Sequence, residues 1–135
     1  MRGRKPATVV AGTAAVAAVP RAPTWLSADA KAEWRRVAPI LVERDILTEA
    51  DLGTLESYAT STGVVREAQR AISRDGLIIE TSDGPKRHPA FGMMNAAMTT
   101  ARLCAAELGL TPVSRSRPTV RTDAPADDDS PLNVR

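Results

Sequence analysis

TEADLGTLESYATSTGVVREAQRAISRDG, residues 48–76, decides the fold class. Thr48 supplies a hydroxyl cap, and Asp51 stands at the third helical position with a carboxylate that can reach back. Leu52, Leu55, Tyr58, Thr62, Val65 and Ile72 then recur on one helical face. Gly76 provides the left-handed residue that commonly stops a helix. The stretch predicts one long amphipathic helix. Gly63 interrupts it at a cost of roughly 1 kcal/mol relative to alanine, which predicts either a close helix crossing or a bend.

Upstream, Ser27 is a good N-cap and Asp29 an anion in the first turn. Leu26, Ala30, Trp34, Val37 and Leu41 follow at helical spacing, to an end near Arg44 or Asp45. Pro39 lies inside this run and predicts a kink or a restart. Downstream, Leu77–Thr81 is the only strand-like run, followed by a Ser82-Asp83-Gly84-Pro85 turn. A lone strand is not stable, so it must pair with a minimal return arm or with a neighbouring subunit. Pro89 opens a third helix. Its Met94, Met98, Ala101, Ala105 and Leu108 fall at intervals of 4, 3, 4 and 3, the seam spacing of packed helices and a candidate oligomer interface. Gly109 caps that helix and Pro112 prevents its continuation. The expected architecture is all-α, with about three main helices and one short β segment near 77–81.

Composition points the same way. Of 58 apolar residues among 135, 23 are alanine, and the aromatics are only Trp25, Trp34, Tyr58 and Phe91. So thin a supply of large side chains suits closely packed helices, or a subunit that completes its burial against copies of itself. It argues against a sandwich or barrel. Cys104 stands alone and suits a small buried hydrophobe; a disulfide within the chain or a cysteine zinc site is excluded. His88 is the single histidine and reads as a loop residue bonded to backbone. There is no phosphate-cradling glycine loop and no carboxylate cluster with EF-hand spacing. No cofactor, no metal and no enzymatic activity are expected.

The net charge of +2 conceals segregation. Residues 1–24, read as a flexible basic and alanine-rich arm, carry Arg2, Arg4, Lys5 and Arg21 with no acid. Residues 25–112, the expected helical domain, hold 10 bases and 12 acids. Residues 113–135 balance four of each, including Asp127-Asp128-Asp129, and read as a disordered tail. Thr8–Val19 after the N-terminal bases looks superficially like a secretory leader, but it has no Leu, Ile or Phe. No stretch reaches the length needed to span a bilayer, so a soluble intracellular protein is expected.

Three basic groups are candidate DNA contacts. Arg2-Gly3-Arg4-Lys5-Pro6 resembles a minor-groove arm, in which arginine is drawn to the groove's negative potential. Arg66, Arg70 and Arg74, at i, i+4 and i+8, form a helical stripe that could follow phosphates. Against that, bases near a helix C-terminus also stabilise its dipole. Lys86 and Arg87 form a short basic loop before the third helix.

Taken in order, five blocks resemble the small terminase subunit of tailed phages. They are Arg2–Pro6, Ala22-Pro23-Thr24-Trp25-Leu26-Ser27, Ile46-Leu47-Thr48-Glu49-Ala50-Asp51, Lys86-Arg87-His88-Pro89-Ala90 and Glu107–Arg117. The resemblance implies a ring-forming homo-oligomer of helical subunits in the cytoplasm of an infected host. Its implied partners are double-stranded viral DNA and a large terminase subunit that holds the ATPase and nuclease. A free-standing helical DNA-binding transcriptional regulator is the alternative.

Overall fold

The computed structural model describes residues 15–116. The chain runs α1 (Ala28–Glu43), a 3-10 turn (Glu49–Asp51), α2 (Leu52–Asp75), β1 (Ile78–Thr81), β2 (Gly84–Arg87), α3 (Ala90–Glu107) and α4 (Pro112–Ser116). The three long helices and short β segment expected from sequence are present.

Local signals account for the helix ends. Ser27 Oγ accepts from the Ala30 amide at 3.2 Å. At the entry to α2, Asp51 Oδ2 accepts from the Thr48 amide at 3.0 Å and from the Thr48 hydroxyl at 2.7 Å. Gly76, at φ 86°, stops α2, and its amide returns to the Ile72 carbonyl.

Three expectations are corrected. Pro39 causes no restart, for α1 continues to Glu43. The ring sits on the exposed side, and Arg35, whose carbonyl would have received the missing N–H, is exposed as well. Water can satisfy that carbonyl. Secondly, part of the expected arm lies against the body. The Val16 amide donates to the Leu47 carbonyl at 2.8 Å, and the Trp34 indole N–H donates to the Pro20 carbonyl at 2.8 Å. A buried indole needs an acceptor, and residues 15–24 provide it. Thirdly, the expected tail begins with helix: Thr111 and Ser114 bond each other across the first turn of α4, with Pro112 at the favoured opening position.

The strand-like run does have a minimal return arm. Strands β1 and β2 pair antiparallel in the register Ile78↔Arg87, Ile79↔Lys86, Glu80↔Pro85 and Thr81↔Gly84. The His88 amide donates to the Leu77 carbonyl at 2.7 Å, which makes 77↔88 a hydrogen-bonded pair. Alternation then leaves 80↔85 as a non-bonded pair, so Pro85 sits where no ladder N–H is needed. Lys86 and Arg87 accordingly lie on β2, not in a loop.

The main core joins Leu26, Trp34, Val37 and Leu41 to Leu47, Leu55, Tyr58 and Leu108. A second cluster of Ala68, Ile72 and Met94 seals α2 against α3. Gly63 marks a close crossing rather than a bend. A Cβ there would stand 2.9 Å from Ser27 Oγ and 3.1 Å from the Ala30 amide nitrogen.

Candidate nucleic-acid and subunit interfaces

The α2 arginines face carboxylates of α1. Arg66 donates to Glu33 at 2.8 Å, and Arg70 pairs with Asp29. Arg74 pairs with its neighbour Asp75. Glu33 is 2% exposed and is also held by Arg36 and by the Tyr58 hydroxyl at 2.7 Å. Its burial alone would raise its pKa. Hydrogen bonds from Arg36 and Tyr58, with the charges of Arg36 and Arg66, prevail and bring it down to about 2. The hydrogen bond from Arg70 likewise lowers the Asp29 carboxyl, with the Arg70 and Arg66 charges assisting. The stripe therefore joins two helices, and its charge is largely matched locally.

The β2 cations are exposed. Lys86 pairs with Asp83 at 3.2 Å across the turn, while the Arg87 guanidinium lies over the Phe91 ring, 5.1 Å from its centroid. His88 is buried and links three elements. Its Nδ1 accepts from the Ala90 amide at 3.0 Å, so the neutral ring carries its proton on Nε2, 3.0 Å from Asp75 Oδ2. The Asp75 carboxyl is held well below its usual range by hydrogen bonds from Arg74 and His88. Arg2, Arg4 and Lys5 lie outside the described residues.

The predicted seam of α3 faces its own subunit. Met94 and Leu108 are buried, and Ala101 and Ala105 pack on the main core. Met98, on the flank, is 45% exposed. Cys104 packs there too, and burial pushes its thiol pKa up. The opposite face carries a second stripe at the same 4, 3, 4, 3 spacing: Gly92, Ala96, Thr99, Leu103 and Ala106, all exposed. Thr99 turns its hydroxyl back to the Asn95 carbonyl, and Leu103 is 59% exposed. This stripe was legible as a periodicity but was overshadowed by the bulkier methionine seam.

Sequence reasoning also missed a basic cluster between residues 19–24 and α1. Arg21, Lys31 and Arg35 line one cleft and have no ion-pair partner among the described residues. A plain i, i+4 Lys–Arg pair was the available signal.

Among the described residues no group of acids, histidines and cysteines could hold a metal, and no helix is long and apolar enough to cross a membrane. Comparison with the curated proteins and with the solved structures gives no match. Comparison with family models gives one that covers residues 30–125, well over half of the chain, and takes in α1, the hairpin and α3. That model describes the phage terminase small subunit, and the protein belongs to this family.

Proposed function

We propose that the protein is the non-catalytic, DNA-recognising subunit of a phage packaging terminase. In this reading it assembles as a ring of identical subunits, binds the viral genome, and regulates a large subunit that performs ATP hydrolysis and DNA cleavage. It does so in the host cell during phage assembly. Residues 25–112 would form the assembling and DNA-packaging unit, flanked by terminal segments.

The observation that carries the reading is the outer face of α3. Helix α3 buries only Met94 within its own span, yet its outward stripe is small and uncharged, with Leu103 near its C-terminal end. A stripe of this kind lets a second helix approach closely, and a subunit poor in large apolar residues gains burial from doing so. Exposed cations on β2 and on α1 supply the charge that phosphate contact requires.

Native mass spectrometry of the purified chain tests the assembly. One closed multimer of many subunits is expected; a dimer with preference for palindromic half-sites would favour the regulator instead. Duplex binding measured on the same sample tests recognition, and an inert sample would remove it.

A further inference from the structure

Residues 19–24 run beside α1, pinned by the Trp34 indole bond to the Pro20 carbonyl. Between this segment and the helix opens a cleft of about 530 Å³. Arg21 stands on the segment, and Lys31 and Arg35 stand on the helix. No carboxylate lines the cleft, and none of the three cations has an ion-pair partner among the described residues. The α2 arginines, by contrast, are all paired.

We propose that this cleft is a binding site for the phosphate backbone of duplex DNA, distinct from the Arg2–Pro6 segment, the α2 stripe and the hairpin. It rests on the DNA-recognition reading and assigns that reading a surface. Cations with no protein counter-charge repel one another, and an anion from outside relieves that repulsion. Lys31 and Arg35 are one helical turn apart, about 6 Å of rise. Both line the cleft from the same side of α1, so one DNA strand can meet the two charges together. Arg21 adds a guanidinium from a wall that the Trp34 bond already fixes, so little ordering is required on binding. Contacts from these cations to phosphate oxygens position the duplex and carry no sequence information of their own.

The test uses the full chain and a fluorescently labelled mixed-sequence duplex, titrated at several salt concentrations between about 50 and 200 mM. The double variant Lys31→Ala/Arg35→Ala is expected to bind roughly tenfold more weakly. Its salt slope should be shallower by about 0.9 for each phosphate no longer neutralised. Lys31→Arg keeps the charge and should bind as wild type. Arg21→Ala changes the other wall and should act in the same direction without touching α1. If wild type binds while these alanine variants keep its affinity and slope, the cleft is not the site. If wild type binds no duplex at any salt, the recognition reading fails and this inference with it. A labelled peptide of residues 123–130 serves as the competing acidic ligand. Should it bind more tightly than the duplex and be released by the double variant, the cleft belongs to an acidic peptide and the proposal is overturned.

Discussion

Tyr58 Oη donates to Glu33 Oε1 at 2.7 Å across the contact between α1 and α2, and both residues are buried. The same carboxylate receives Arg36 and Arg66, so one buried acid organises three donors from two helices. Removing the acid leaves cations and a hydroxyl without their partner. We expect Glu33→Ala to destabilise the fold by about 3 kcal/mol, while Tyr58→Phe, which removes only one neutral donor, costs about 1 kcal/mol. Chemical denaturation of both variants measures this ordering. Equal losses would mean that the carboxylate is not the organising group.

The same acid predicts a pH dependence. Its carboxyl lies near 2 in the folded chain against an ordinary 4.5. A carboxylate with a lowered folded pKa contributes stability above its unfolded value and loses it as pH falls towards the folded one. The melting temperature should therefore hold between neutrality and about pH 5, then fall steadily towards pH 2. The contribution is at most about 3 kcal/mol. Glu33→Gln should flatten most of that fall, since Asp29 and Asp75 are more exposed and their pairs count for less. A thermal melt series of wild type and variant across this range decides it.

Gly63 predicts a result contrary to helix propensity. Alanine at an ordinary mid-helix glycine stabilises by roughly 1 kcal/mol. Here the added methyl would meet the cap hydroxyl of Ser27 at 2.9 Å and the Ala30 backbone at 3.1 Å. Gly63→Ala should lower stability, by about 1–2 kcal/mol, because the two helices must part. Ser27→Gly removes the nearest obstructing atom at little capping cost, so adding it should recover part of the loss. A stabilised Gly63→Ala protein would show that the crossing yields.

The positions of these groups explain what sequence reading reaches. Thr48, Asp51 and Gly76 act on their own or adjoining turns, so the long helix and its limits are legible without a fold. Arg70 meets Asp29 from 41 residues away. Only the crossing held open by Gly63 brings those faces together, and periodicity on one helix gives no information about its neighbour's charges. Pro85 illustrates the same limit in the hairpin: alone it argues against a strand, and the register that makes it harmless appears only with the partner strand.

His88 is the group through which the hairpin, α2 and α3 communicate. Replacement by alanine leaves the Ala90 amide without its acceptor and Asp75 without one donor. We expect a loss of about 1–2 kcal/mol, with faster amide exchange at Ala90 and along β2 than in α1. Hydrogen-exchange mass spectrometry separates the two outcomes. Uniform loss of protection over the whole chain would mean that His88 supports the global core and not this junction.

The two stripes of α3 predict opposite behaviour from similar substitutions. Ala101 packs against the main core, so Ala101→Glu buries an unpaired carboxylate inside the subunit and should unfold it or lower its melting temperature sharply. Leu103 is 59% exposed on the outer stripe, so Leu103→Glu inserts no charge into the subunit's own core. In an assembly built through that stripe, the carboxylate would be buried against a neighbouring helix, and repeated at every copy of the interface. Leu103→Glu should therefore shift the native mass towards the single subunit while far-ultraviolet circular dichroism stays helical. Ala96→Glu, lower on the same stripe, should act alike, whereas Met98→Glu on the flank should do less. If Leu103→Glu and Ala96→Glu both keep the wild-type mass, the outer stripe is not where subunits meet. The burial that this alanine-rich chain lacks would then have to come from another surface, with Leu77 and Ile78 on the hairpin, 54% and 62% exposed, as the next place to substitute.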